Sequence, residues 1–247
     1  MHAGKGDLAR FVDDLASGRL TAAVPRDYVV LLQEDVERDN EPLGAVAATR
    51  RLFAFFLPLR RQQGAISGNA ILSTQPFEQP RIIPLPRQRQ PRASAAANIT
   101  VAGERLFIAN VHLENRLPWW KALFSDTARG RQAQALLQEL PATQHGVLGG
   151  DLNTWFGPLE PAWRELLRRF PDTKFDRLQP TFRNRLVLDH LLFDLPDGWT
   201  VSRSVVQERY GSDHHPVVAV VMAGPPRPAP TLGGTRPTYV GRVPGRD

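Results

Sequence analysis

The sequence predicts an α/β domain, and three observations carry that expectation. Short apolar runs rich in β-branched residues and bounded by Gly or Pro read as buried strands. Examples are Val29-Val30-Leu31-Leu32, Phe107-Ile108-Ala109-Asn110-Val111, Gly146-Val147-Leu148-Gly149 and residues 217–221. Between them lie segments with apolar residues at helical spacing. Polar residues also recur where these runs end: Gln33-Glu34, His112, Asp151 and, just ahead of the last run, Ser212-Asp213-His214-His215. In α/β proteins sites gather at strand ends and in the loops beyond them.

Each element has its own warrant. Leu8, Phe11, Val12 and Leu15 repeat with an amphipathic period, so a helix is expected over 7–20 with Asp7 as its N-cap. A strand follows over 28–32, and two more over 52–57 and 69–73, separated by a polar turn. The stretch 76–91 is rich in Pro and Arg and is expected to hold one short strand, 82–85. Segments 93–101 and 105–111 flank Ala102-Gly103-Glu104 and read as a hairpin. Ala133, Leu136, Leu137 and Leu140 place one face of a helix within 119–140. Pro161 opens a further helix over 160–170, since its missing N–H costs nothing in the first turn. No internal repeat is visible. Residues 1–222 are expected to form one domain and residues 223–247, which alternate Pro, Gly and Arg without apolar period, a disordered tail.

Composition narrows the chemistry. A chain of 247 residues supports one large core. There is no cysteine, so disulfides and thiolate metal sites are excluded and any metal must be held by carboxylate, amide or imidazole groups. Oxygen-rich sites suit a hard ion such as Mg²⁺ or Mn²⁺. No stretch is apolar enough to span a membrane. Lys plus Arg number 31 against 25 Asp plus Glu, a balance that attracts polyanions. Lys5, Lys121 and Lys174 are the only lysines, so the excess is arginine, a skew that a GC-rich genome also produces.

Taken singly, the polar residues at strand ends have ordinary explanations. An Asp after a strand commonly forms a turn or a helix cap, and a His in an apolar stretch is commonly a core residue. The ordered set is different. Leu32-Gln33-Glu34, Gly68-Asn69-Ala70-Ile71-Leu72-Ser73, His112-Leu113-Glu114, Gly150-Asp151-Leu152-Asn153, Asp189-His190 and Ser212-Asp213-His214 resemble the successive motifs of the endonuclease/exonuclease/phosphatase (DNase I-like) superfamily. The resemblance spans about residues 7 to 222. It implies a four-layer α/β sandwich, two mixed β-sheets packed face to face with helices outside. It also implies a divalent-metal-dependent phosphoesterase, most of all a nuclease-like phosphodiester hydrolase. A sphingomyelinase-like lipid phosphodiesterase and an inositol or sugar phosphatase are the alternatives within the family.

The resemblance assigns roles. Glu34 is the primary metal ligand and Asp213 completes the metal shell. Asp151 orients and deprotonates the attacking water, assisted by Asn153. His214 donates to a phosphate oxygen, Asp189 fixes and charges that imidazole, and His112 contacts phosphate. Asn69 is read as tying a strand to the site floor and Arg92 as equally a solvated loop residue. His190 and His215 are read as supporting, because neighbours on a strand face opposite ways. Arg87 to Arg92 and Arg183 to Arg185 are candidate contacts to a phosphate backbone. Trp119-Trp120 are read first as core cover and second as an edge for a base or a membrane. The expected partner is a phosphate ester, DNA included, acted on by a monomer in the cytoplasm.

One departure stands out. In the family a first strand precedes the first helix and carries an Asn that helps to build the metal site. Here Met1-His2-Ala3-Gly4-Lys5-Gly6 leads straight into the helix. An incomplete N-terminus is therefore expected, which would also hide any signal peptide. A non-catalytic binding module is the reading from another class.

Overall fold

The computed structural model describes residues 6–37, 43–62, 64–88, 90–115, 127–173 and 179–224. In chain order the elements are α1 (Leu8–Ala16), β1 (Val29–Glu37), α2 (Leu43–Thr49), β2 (Phe53–Gln62), β3 (Ala65–Ser73), β4 (Glu78–Leu85), β5 (Arg92–Val101), β6 (Glu104–His112), α3 (Ala128–Glu139), β7 (Gly146–Asp151), α4 (Pro161–Arg169), β8 (Asp189–Asp194), β9 (Thr200–Val205) and β10 (Val217–Met222).

Four layers result. A five-stranded sheet runs β4-β5-β6-β7-β8, antiparallel except for the parallel pair β6–β7. The facing layer holds an antiparallel sheet β1-β3-β2 and the hairpin-like pair β10-β9. Alternation along each strand separates the cores, because successive side chains leave a strand on opposite faces. Val30 and Leu32 of β1, with Ala70 and Leu72 of β3, pack under Leu8, Val12 and Leu15 of α1. Val29, Leu31 and Ile71 turn the other way, toward Ala95, Ile99 and Ile108 between the sheets. On the outer face of the five-stranded sheet, Phe107, Leu148 and Leu192 meet Leu136, Trp163, Leu166 and Phe170 from α3 and α4. Each such aliphatic or aromatic side chain, fully buried, stabilises the fold by about 1.5–3 kcal/mol before entropy is counted.

Local chemistry sets several boundaries. The Asp7 side chain accepts the Arg10 N–H at 2.9 Å, capping α1 as its sequence implies. The helix stops at Ala16 rather than at residue 20, because Gly18 takes the left-handed φ of 79° that ends helices. Strand β4 is longer than the expected 82–85 and starts at Glu78, with an irregularity between Glu78 and Arg81. Helix α3 covers Ala128–Glu139. Residues 116–126, which include Trp119 and Trp120 and the first part of the expected helix, lie outside the described residues, as do 225–247 of the expected tail.

One side chain clamps the two sheets together. Asn110 of β6 donates through Nδ2 to the carbonyl oxygens of Leu32 and Ala70, both at 2.8 Å, and its Oδ1 accepts from Gln33 Nε2 at 2.6 Å. It is wholly buried, and its three amide contacts leave no polar atom of the side chain unsatisfied.

Candidate active site

Three neighbouring strands deliver a row of polar residues. The parallel register of β6 and β7 sets His112 beside Asp151, and the antiparallel register of β7 and β8 sets Asp151 beside Asp189. His112 Nε2 lies 3.5 Å from Asp151 Oδ2. Gly150 makes this close packing possible. It has φ 143°, and a Cβ there would fall 1.8 Å from the Val111 carbonyl oxygen. Beyond β7 the chain turns at Asn153, a non-glycine residue at φ 51°; its N–H donates to Asp151 Oδ1 at 2.9 Å and its Nδ2 to Leu113 O at 3.2 Å.

The loop ahead of β10 adds His214. Its Nδ1 lies 2.6 Å from Asp189 Oδ2, and its ring packs against that of Phe182, centroids 4.7 Å apart and planes tilted by 45°. Thr181 holds both sides of this contact. Its Oγ1 accepts the N–H groups of Leu188 and Asp189 at 3.0 and 3.1 Å, and its carbonyl accepts that of His215 at 2.7 Å. Asp151, Asp189 and His214 thereby present ligand atoms all within 4.8 Å of one another.

Electrostatics differ sharply along the row. Burial, then the charge of Asp189, pushes the Asp151 carboxyl up to about 7. Burial opposes charge on His214, but the hydrogen bond and charge of Asp189, helped by Asp151 and Asp213, raise its pKa. His112 is driven the other way by burial and by the nearby Arg92 cation, and stays neutral. A buried cluster with more carboxylate than cation fits a metal ion: a divalent charge there would reverse the penalty that holds a proton on Asp151.

Glu34 and Asp213 are not part of the tight cluster, but both line the same cavity of about 960 Å³. Glu34 sits where β1 shifts register between Leu32 and Asp35, at φ 52°. A bulge of this kind redirects a side chain and is found beside functional sites. Asn69 donates to Ala93 O at 3.3 Å, bridging β3 to β5. Arg92, weighed as a solvated loop residue, is buried at the start of β5. Arg87, Arg183 and Arg185 are exposed.

His190 and His215 point elsewhere. His190 packs 4.1 Å from the Trp163 ring, and burial lowers its pKa to about 4. Nδ1–H of His215 donates to Val206 O at 3.0 Å and its Nε2 accepts from Arg209 Nε at 3.1 Å. Thr181 and the buried pair Arg129–Glu160 are among the structural parts that the sequence alone did not single out. A lone Thr after Pro180 has no period, and an ion pair between one helix and the residue that precedes another has no local signature.

A sequence profile of the Endonuclease/Exonuclease/phosphatase family matches residues 3–214, and the chain belongs to that family. The family hydrolyses phosphate esters, typically with divalent metals. A comparison with curated proteins finds no match. Among solved structures, an endonuclease/exonuclease/phosphatase from Beutenbergia cavernae DSM 12333 superposes with a TM-score of 0.64 at 18% identity, covering 90% of this chain and 69% of that one. The catalytic domain of human Nocturnin, solved with bound sulfate, gives 0.57 at 18% identity over 78% of each chain. Sphingomyelinase C from Streptomyces griseocarneus gives 0.56 at 21% identity over 87% of this chain and 91% of that one. At such identities the likeness is one of fold. No helix among the described residues is long and apolar enough to cross a membrane.

Proposed function

We propose that this chain is a divalent-metal-dependent phosphodiester hydrolase of nuclease type. The observation that carries the reading is the convergence of Asp151, Asp189 and His214 within 4.8 Å, at the ends of separate elements and open to the cavity that Glu34 and Asp213 share. Glu34 and Asp213 would hold Mg²⁺ or Mn²⁺ beside the Asp151 carboxylate. When bound, that ion supplies positive charge against the phosphoryl oxygens.

The chain's own residues do the rest. Asp151 takes the proton of the attacking water, and the Asn153 amide orients that water or a phosphate oxygen. His214, held protonated by Asp189, donates to the phosphoryl oxygen as charge builds there. Neutral His112, whose Nε2 lies 3.5 Å from Asp151 Oδ2 and has no hydrogen-bond partner among the described residues, offers a hydrogen bond to phosphate. The net charge of +6 favours a polyanionic substrate such as DNA.

The test is Mg²⁺-dependent cleavage of a generic phosphodiester and of abasic duplex DNA, with Asp151→Asn and a chelator as controls. Turnover that falls by about 10²–10⁴ in both controls supports the reading. Turnover indifferent to the chelator or to Asp151→Asn overturns it. A preference for sphingomyelin vesicles over both substrates would reassign the enzyme to lipid diesters.

A further inference from the structure

Trp155 lies two residues past Asn153 and lines the same cavity as Asp151, Asn153 and His112. Its ring is half-buried, and the Arg129 guanidinium sits over one face, 5.1 Å from the centroid. That cation is pinned. Nε and Nη2 of Arg129 meet Glu160 Oε2 at 2.9 and 2.7 Å, and Nη1 donates to the Glu114 carbonyl at 3.3 Å. Glu160 in turn accepts the backbone N–H of Phe156 at 3.1 Å and that of Trp155. Desolvation offsets much of the attraction within a buried ion pair. What the pair supplies here is geometry: it fixes both the loop that carries the ring and the cation beneath it.

Asn115 stands next to this ring. It follows Glu114, whose carbonyl holds Arg129, and the Leu113 carbonyl just before accepts from Asn153 Nδ2. Asn115 lines the cavity too, and its Oδ1 is buried with no donor among the described residues. A buried acceptor left unpaired costs about 1–3 kcal/mol, so the site favours a ligand that brings a donor.

Two kinds of phosphodiester carry a group that suits an aromatic wall. Nucleic acids bring bases, and choline lipids bring a quaternary ammonium. The partners of the ring separate them. Arg129 already draws on the π-electrons of one face, which weakens the pull of the other face on a second cation. A quaternary ammonium also has no N–H to give Asn115. A nucleobase has a flat π-face for the ring and N–H groups along its edge.

Building on the phosphodiesterase reading of this cavity, we propose that Trp155 is a stacking platform for a nucleobase of the substrate, with Asn115 Oδ1 accepting from the edge of that base. Two chain steps from Asn153 span at most about 7 Å, which puts the base on a nucleotide at or next to the scissile phosphate. A base inside a duplex has both faces covered. The substrate is therefore a single strand or carries an unpaired nucleotide.

The test is binding of a labelled single-stranded octathymidylate, read by fluorescence anisotropy, beside an oligomer with the same phosphates and no bases. Both are titrated with the full chain carrying Asp151→Asn, so that nothing is cleaved. We expect the base-bearing strand to bind about 10- to 100-fold more tightly. Adding Trp155→Ala should abolish that preference, and Trp155→Phe should keep most of it. Equal affinity for the two oligomers, or binding of neither, overturns the proposal, as does a Trp155→Ala chain that keeps the preference. Tryptophan emission gives a measurement that does not depend on the Ala variant folding. Octathymidylate should quench it saturably, and far less once Trp155→Phe removes the reporting ring; an equal quench in both overturns the assignment. Saturable quenching by phosphocholine where thymidine monophosphate gives none would hand the ring to a quaternary ammonium instead. Base-selective binding without turnover by the unmutated chain would support the platform and sink the hydrolase reading. Turnover with no preference for bases would do the reverse.

Discussion

His214 Nδ1 lies 2.6 Å from Asp189 Oδ2, a contact between the loop before β10 and the first residue of β8. It fixes the imidazole by one nitrogen and leaves Nε2 for whatever enters the cavity. Replacing Asp189 with Asn keeps the shape but removes the charge that holds His214 protonated. We expect kcat to fall by about 10²–10⁴ with KM changed far less, and circular dichroism to be unaltered. Steady-state kinetics at saturating metal would show this, and a kcat near that of the parent would contradict it.

Behind the row of site residues, Arg129 Nη2 meets Glu160 Oε2 at 2.7 Å, both side chains essentially without solvent contact. Burial works against both charges, lowering the Arg129 pKa and raising that of Glu160. Breaking such a pair leaves an uncompensated charge, so Arg129→Met alone should cost about 3–5 kcal/mol of stability. Adding Glu160→Leu to it should recover most of the loss. Urea unfolding of the single and double variants measures both values, and a double variant no better than the single would refute the pairing argument.

Gly150 tests the packing beside Asp151. The clash of an added Cβ with Val111 O is with backbone, which has no rotamer to escape into, and φ 143° is strained for an L residue. Gly150→Ala should therefore destabilise by about 3 kcal/mol or more, or prevent folding. Soluble protein with an unchanged urea midpoint would be inconsistent with this geometry.

Tyr210 gives a prediction in pH. Its Oη donates to Asp14 Oδ2 at 2.8 Å, and burial together with that acceptor pushes the phenol up to about 12. In the unfolded chain it titrates near 10. The contact therefore contributes fully below about pH 10 and is lost as pH rises through about 12. Tyr210→Phe should lower stability at pH 7 by about 1–3 kcal/mol, the cost of a hydrogen bond to a charged group. The gap between parent and variant should close as pH approaches 12. Parallel unfolding series at pH 7 to 12 would show the convergence; a constant gap would contradict it.

Much of the architecture was legible because it rests on period. The unbroken apolar run Val29-Val30-Leu31-Leu32, packed on both faces, and the spacing of Leu8, Val12 and Leu15 record burial directly. Elements without period escaped. Helix α2 has seven residues, too few to display a face, and the first four residues of β4 are all exposed. Strand β9 alternates only weakly between exposed and half-buried positions, with Ser and Arg among them. At the site the polar ends of strands could be read from the residues, but that Asp189 meets His214 was implied by the family resemblance alone, and the Trp163 ring against which His190 packs depends on contacts across the fold. The left-handed backbone at Glu34 and Asn153 had no glycine to announce it.

The amide of Asn110 grips the β1 carbonyl of Leu32 and the side chain of Gln33, immediately behind Glu34, from the strand that also ends in His112. The domain is thus a pair of jaws riveted close to the teeth. Outer ends of the layers can breathe without altering the bite, because splaying about a fixed point moves remote loops most and the adjacent carboxylates least. Tolerance at the reacting atoms and freedom at the rim, where different substrates would be received, then come from one and the same buried amide.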